Sequence, residues 1–417
     1  MQLANFTRFF TARLKSLIFY GGGLVVAKFL TMITQILIGR SQGAEFYGQF
    51  TLILILGNYI SIPMITGWGL AFVQLVSAKK DKDNLVVISA LKMLLIIILL
   101  AITLTITTII LFKSWLSYQL NINKTILWQA TLIALTTTWW LLAKQIYQAI
   151  QQWYHYVIIE IIFSFFLVSC FLTISHLSLA LHNTTLIYSV AFFISGLVAL
   201  PYIFKTFTTQ NNWFYAREIF HHGSILFINT TIGTLVFGID RILININLGS
   251  SDVGVYQAHF LATYGIFSTF IAILMNYFFP LFSKDTQYHY YFHFKSPLTW
   301  FIYFIIIAIS ITLGFLIVWL YKYPISWILL ITLSLFNAFN LHGQLYAWML
   351  VGQGKKMTYC LLAAQASLLI TNLILLILLL PIFGSTAAGI SLVGGAIIFL
   401  FITSKFMLME KRNERII

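Results

Sequence analysis

Long, uninterrupted apolar segments are the feature that most constrains this chain. A membrane-spanning helix needs about 20 consecutive, predominantly apolar residues, and segments of this kind follow one another along almost the whole sequence. They cover residues 17–38, 46–76, 84–112, 125–150, 156–181, 184–206, 218–247, 253–283, 296–320, 324–351, 357–380 and 384–409. We therefore expect an all-α, polytopic membrane protein with about twelve transmembrane helices.

The composition excludes a water-soluble fold. Of the 417 residues, 60% are hydrophobic and 8% are charged, whereas a soluble domain has roughly 45–50% apolar and about 25% charged residues. Twelve spans of about 22 residues occupy roughly 260 positions, so the loops are too short to hold a folded domain. The function is therefore expected to take place within or at the membrane.

The basic residues predict the orientation, because cytoplasmic loops are enriched in Lys and Arg. With a cytoplasmic N-terminus, four basic residues fall outside: Arg40, Lys113, Lys124 and Lys322. A much larger set falls inside: Arg8, Arg13, Lys15, Lys79, Lys80, Lys82, Lys144, Lys205, Arg217, Lys284, Lys295, Lys355, Lys356, Lys405, Lys411, Arg412 and Arg415. Both termini are therefore predicted to be cytoplasmic. The net charge of +14 is an orientation signal, and no nucleic-acid partner is expected.

Two short segments suggest an internal repeat. Gly43 and Gly48 follow the first apolar run, and Gly249 and Gly254 follow the seventh, each 206 residues later. An even number of spans in each half makes such repeats parallel. We expect two six-helix lobes around a central cavity, residues 1–210 and 211–417, with an interfacial amphipathic helix at about residues 1–16.

The same segments resemble a known family. Residues 240–258, DRILININLGSSDVGVYQA, and residues 39–48, GRSQGAEFYG, are similar to turns of the Wzx-type polysaccharide flippases of the multidrug/oligosaccharidyl-lipid/polysaccharide exporter superfamily. The resemblance implies a transporter of the bacterial inner membrane. Its implied substrate is an oligosaccharide repeat unit on undecaprenyl pyrophosphate, destined for O-antigen or capsule and moved by alternating access. A polysaccharide polymerase is an implied partner.

Charged residues at membrane depth are the candidate site. A charge near a helix centre costs about 2.5–3.5 kcal/mol on insertion scales, yet Lys28 lies within the first apolar run and Asp240 and Arg241 within the seventh. Lys28 and Arg241 are candidates to bind the pyrophosphate or an anionic sugar, with Arg40 at the outer mouth. The alternative for Lys28 is snorkelling or a structural pair, and the alternative for Asp240 and Arg241 is an ion pair between helices or lobes. Because neighbours on a helix point about 100° apart, we expect these two not to pair fully with each other.

Two carboxylates are candidates for coupling transport to H⁺ or Na⁺. Asp240 lies at membrane depth, and Glu160 lies near the start of the fifth apolar run. A carboxylate in a low-dielectric site is suited to titrate during transport. The alternative for Glu160 is an ordinary residue at the membrane boundary.

Two other functions stay open. A multidrug or small-solute antiporter of the same superfamily would share the fold but is expected to have an acid-lined pocket, whereas the membrane-depth charges here are mainly cationic. A glycan polymerase or glycosyltransferase is expected to place catalytic residues in a long external loop. No ATP-binding P-loop is present in the sequence, so ATP hydrolysis by this chain is not expected. We expect a transporter without a metal or cofactor, not an enzyme.

Overall fold

The computed structural model describes residues 2–77, 84–174, 180–208, 213–265, 267–269, 271, 297–352 and 355–414. Within this part of the chain the regular structure is entirely helical. The α-helices are α1 (Gln2–Gln42), α2 (Ala44–Ser61), α3 (Gly67–Ser77), α4 (Asn84–Gln119), α5 (Lys124–Ala149), α6 (Trp153–Ile174), α7 (Leu181–Gly196), α8 (Leu200–Thr206), α9 (Trp213–Val236), α10 (Ile239–Leu248), α11 (Ser250–Phe260), α12 (Pro297–Tyr321), α13 (Trp327–Gly352), α14 (Lys355–Phe383) and α15 (Thr386–Glu414). A π-helical turn, Ile62–Thr66, joins α2 to α3, and another, Leu261–Gly265, follows α11.

The expected polytopic, all-α class is confirmed. Among the described residues, 11 helical segments are long and apolar enough to cross a membrane. Each overlaps one of the predicted spans. The remaining predicted span, 253–283, begins in α11, and its second part lies outside the described residues.

Helix α1 is a single helix of 41 residues. It continues through residues 2–16, where the sequence predicts a separate interfacial helix, into the first span. The location of these residues at the membrane interface stays a prediction.

The described chain forms two compact units. The first contains Met1–Gln42 and Gln49–Leu235, and the second contains Gly43–Gly48 and Val236–Ile417. A large apolar core fills the first unit, with Phe72, Leu91 and Ile146 fully buried between α3, α4 and α5. In the second unit, Tyr303 and Ile306 of α12 pack with α13. The six-plus-six repeat with lobes 1–210 and 211–417 stays a prediction.

The expectation of one helix across residues 218–247 is wrong at one point. Helix α9 ends at Val236, and α10 begins only at Ile239, because Gly238 has non-helical backbone angles of φ −146° and ψ −21°. The backbone N–H of Arg241 donates to the carbonyl of Gly238 instead of continuing the regular pattern of bonds four residues back. The break falls immediately before the charged pair.

The glycines of the two similar turns share an unusual conformation. Gly43 and Gly249 have φ values of 86° and 95°, a region that side chains other than glycine rarely adopt. Five residues after each of them, Gly48 and Gly254 lie against each other within the second unit. A Cβ atom at Gly48 would overlap the Ser250 carbonyl oxygen, and one at Gly254 would overlap that of Ala44. The contact is therefore reciprocal and is made between backbones.

Candidate functional site

A buried ion pair joins α5 and α6 in the first unit. The Lys144 Nζ atom lies 2.5 Å from the Glu160 Oε1 atom, and the two side chains are only 12% and 7% exposed. Glu160 is thus a buried, paired carboxylate. The pair satisfies both charges in surroundings where either alone would be costly.

Lys28 of α1 belongs to the same group of charges. It acts electrostatically on Glu160, although its own side chain is exposed. We call Lys28, Lys144 and Glu160 the lysine–glutamate cluster. With all three groups ionised it carries one net positive charge. The structure therefore brings together two of the residues singled out in the sequence, Lys28 and Glu160, and adds a second lysine.

Aromatic rings enclose Lys144. Its ammonium group lies 4.0 Å from the centre of the Trp140 ring and 4.9 Å from that of Tyr156. Tyr156 also acts electrostatically on Lys144. Such contacts stabilise a cation by about 0.5–2 kcal/mol, with the larger values in desolvated sites. They hold the ammonium group in place beside Glu160.

Sequence reasoning missed Lys144 as a site residue. Counting basic residues by side assigned it to the cytoplasmic set, but the structure places it inside α5, which ends at Ala149. A signal was present, because the predicted span 125–150 already contained this lysine. A topology count assigns charges to sides of the membrane and is insensitive to their depth.

A second buried charge pair lies in the second unit. Asp240 and Arg241 are 0% and 2% exposed, and the Arg241 Nη1 atom donates to Asp240 Oδ1 over 2.8 Å. The sequence predicts that these neighbours do not pair fully with each other, whereas the structure joins them in a direct ion pair. The long arginine side chain turns back along the chain, and its Nη1 atom also donates to the Phe237 carbonyl at 2.6 Å. Arg241 therefore bonds to the carbonyl at the helix break.

Further polar residues extend this pair into a network. Tyr256 donates its hydroxyl to Asp240 Oδ2, and Arg241 Nε donates to Gln257 Oε1 at 2.9 Å. Gln257 also acts electrostatically on Tyr47, whose hydroxyl lies 3.1 Å from that of Tyr321. The guanidinium carbon also lies 3.9 Å from the centre of the Phe260 ring. We call the set Asp240, Arg241, Tyr256, Gln257, Tyr47 and Tyr321 the Asp240–Arg241 network.

The candidate substrate-binding cations differ in accessibility. Arg241 is enclosed, whereas Lys28 is exposed; Arg40 is also exposed, in the last turn of α1. In the described conformation, an anion reaches Arg241 only after some of its present bonds are replaced. Within the described ranges, no group of three or more His, Cys, Asp or Glu side chains is arranged to hold a metal ion.

Solved structures with this fold are membrane transporters. An inward-facing multidrug resistance MATE family transporter of the MOP superfamily has a TM-score of 0.70 and 13% identity, over 91% of this chain and 94% of that chain. The lipid II flippase MurJ, in an inward closed conformation, has a TM-score of 0.60 and 14% identity, over 92% of this chain and 87% of that chain. The comparison with curated proteins gave no significant match.

The helical architecture is therefore the fold that these two transporters of known structure share. The sequence narrows this fold to a family, because a family model described as polysaccharide biosynthesis protein matches residues 14–285. The chain belongs to that family. Its family and its fold agree with the expectation of a transporter of the flippase type, not an enzyme.

Proposed function

We propose that this protein moves a lipid-linked oligosaccharide repeat unit, carried on undecaprenyl pyrophosphate, across the bacterial inner membrane by alternating access. The product would serve surface polysaccharide synthesis, as O-antigen or capsule. The membership in the polysaccharide biosynthesis family supports the substrate class. The observation that carries the proposal is the exposed Lys28 beside a buried lysine–glutamate pair.

Lys28 is the proposed first contact for the pyrophosphate. The diphosphate must cross a medium that cannot hydrate it, and a fixed ammonium group replaces part of that hydration. Lys28 sits nine residues after Phe19, where the first span begins, which corresponds to about 13 Å at 1.5 Å per residue. An exposed lysine at this depth is costly unless it faces water or an anionic ligand.

Arg241 and Arg40 remain proposed substrate contacts of different kinds. The exposed Arg40, at the end of α1, would contact an anionic group at the outer mouth. Arg241 would bind substrate only in a conformation that opens the Asp240–Arg241 network. Its bonds in the described conformation favour the structural alternative, in which the arginine stabilises the helix break.

Complementation tests the proposal. A flippase-deficient strain that carries the cognate glycan pathway should regain surface polysaccharide with the wild-type gene. Lys28→Arg should retain most of this function, and Lys28→Ala should lose it at equal membrane expression, as should the Lys28→Ala/Arg241→Ala double variant. Full recovery with the double variant contradicts the proposed cationic site, and no recovery with wild type contradicts the proposed function.

Coupling to H⁺ or Na⁺ is proposed to involve Asp240 and Glu160. Each carboxylate already has a basic partner, Arg241 or Lys144, so a coupling ion must replace that partner during the cycle. Transport rates should then depend on pH or Na⁺ in the wild type and lose this dependence in Asp240→Asn or Glu160→Gln. An unchanged dependence in both variants refutes the coupling role.

The orientation of the protein in the membrane and its partner are part of the proposal. The excess of predicted inside lysines and arginines supports cytoplasmic termini, which cysteine labelling from either side of the membrane would test. A polysaccharide polymerase is the proposed partner, because it would use the translocated repeat unit.

Drug efflux without restoration of surface polysaccharide would instead establish the multidrug antiporter, and polymer synthesis by the purified chain would establish the polymerase or glycosyltransferase.

A further inference from the structure

We propose that Lys144 is a second binding residue for the phosphate groups of the substrate. Glu160 forms an ion pair with Lys144 until a phosphate group displaces the carboxylate. The inference rests on the proposed function, because it assumes a diphosphate-bearing lipid. It assigns a role to a lysine that the sequence places on the cytoplasmic side and the structure places inside α5.

The charge balance of the lysine–glutamate cluster carries the first step. Two lysines act on one carboxylate, so neutralisation is incomplete. Buried or partly buried charges are costly unless they are balanced. An added anion next to Lys28 therefore completes the balance, and a diphosphate carries enough negative charge to engage both lysines.

The charged atoms of Lys144 and Glu160 lie close enough for a phosphate group to compete with the carboxylate. At 2.5 Å their charged atoms are in direct contact, so an arriving phosphate oxygen and the carboxylate oxygen compete for the same ammonium protons. Lysine has three such protons and no acceptor. Sharing or exchange is therefore a matter of relative affinity.

A nearby hydrogen-bond donor also supports an anion site in the cluster. The Trp140 Nε1 atom is buried and has no hydrogen-bond partner among the described residues. The indole groups of Trp139 and Trp68, by contrast, donate to the carbonyls of Phe193 and Pro63. A buried N–H group without a partner is unfavourable. An anion in the cluster would offer an acceptor to the tryptophan whose ring already contacts Lys144.

The depth of the cluster suits a lipid head group. Lys144 lies five residues before the end of α5, and Glu160 lies seven residues after the start of α6. At 1.5 Å per residue these positions are about 7–11 Å from the helix ends. A diphosphate entering from the predicted cytoplasmic side would meet the cluster early in its passage.

Competition predicts opposite effects for the two partners of the ion pair. Lys144→Met should weaken diphosphate binding by about tenfold or more, since a hydrogen bond to a charged group contributes about 1.5–3 kcal/mol. Glu160→Gln removes the competing charge and should strengthen binding severalfold. A purely structural ion pair predicts that both substitutions weaken binding.

The experiment measures binding of undecaprenyl diphosphate to the full chain in phosphatidylcholine nanodiscs by microscale thermophoresis. The matched control is Lys205→Met, which removes another lysine that lies near an aromatic ring, 5.7 Å from the centre of Tyr202. It should bind like the wild type. Because Lys144→Met leaves Glu160 buried without its partner, the double variant Lys144→Met/Glu160→Gln is measured too, and it should bind as weakly as Lys144→Met.

Four results would overturn the inference: no binding by the wild type, wild-type affinity of the double variant, weaker binding by Glu160→Gln, or equal competition by phosphatidylglycerol. The last result would indicate a general anionic-lipid site, and competition by free pyrophosphate would show that the head group alone is recognised.

Complementation separates the two proposals. A wild-type protein that restores polysaccharide while the double variant binds normally refutes the role of Lys144 only. The expected binding pattern without complementation refutes the proposed function only.

Discussion

Replacing Arg241 by methionine should destabilise the second unit strongly. Methionine has a similar unbranched chain but cannot donate hydrogen bonds. The change removes the bonds to Asp240, Phe237 and Gln257, together with the stacking of the guanidinium group on Phe260. Asp240 then keeps the hydroxyl of Tyr256 and loses the cationic partner to which it is bonded in the described part of the chain.

The magnitude follows from the burial of the pair. Asp240 and Arg241 are 0% and 2% exposed, and removal of one member of a buried ion pair costs about 3–5 kcal/mol because the other charge remains buried. Replacement of both members by groups of similar shape is often neutral. Arg241→Met should therefore lose about 3–5 kcal/mol of unfolding free energy. The double variant Asp240→Asn/Arg241→Met should lose less unfolding free energy than the two single variants lose in sum. The difference should be about 2 kcal/mol or more.

Equilibrium unfolding in mixed micelles, at increasing mole fraction of sodium dodecyl sulfate, measures these free energies. Lys205→Met serves as the control for loss of an exposed basic residue. A loss below about 1 kcal/mol for Arg241→Met, or additive single effects, would refute the structural role. If that variant is stable and yet loses transport, Arg241 acts mainly on the substrate.

Two smaller perturbations test the local geometry. Gly249→Ala should cost about 1–3 kcal/mol of unfolding free energy, because Gly249 has φ 95° and ψ 172°, a region that is essentially restricted to glycine. The control is Gly233→Ala, at an ordinary helical position with open space around it. His259→Ala should cost about 1–3 kcal/mol, because the His259 Nε2 atom accepts the backbone N–H of Ser326 at 3.0 Å, just before α13, and the loss leaves that donor without its acceptor. Thermal unfolding of the purified variants measures both, and wild-type transition temperatures would contradict the reasoning.

Hydropathy predicts most of this fold because the bilayer sets the length of every span. Eleven of the predicted spans correspond to helices. The break at Gly238 was missed because hydropathy averages over about 20 residues, whereas the break depends on the backbone angles of one glycine. The flanking residues remain apolar, so the predicted segment 218–247 continued across it.

The candidate site was predictable in its charges but not in its pairs. The cost of charge in a membrane identifies Lys28, Asp240 and Arg241 as unusual from sequence alone. The partners Gln257 and Lys144 depend on which helix faces which, and no local pattern encodes this. The argument about adjacent residues failed for Asp240 and Arg241 because it considered helix directions and ignored the reach of the arginine side chain.

The backbone contact between Gly48 and Gly254 has a consequence for divergence. Each glycine is restricted by a carbonyl oxygen of the opposite turn, from Ser250 or Ala44, and every residue type supplies such an oxygen. The contact therefore restricts the two glycines and leaves the residue types of Ser250 and Ala44 unconstrained. After a duplication it would preserve a pair of glycines at a constant spacing, here 206 residues.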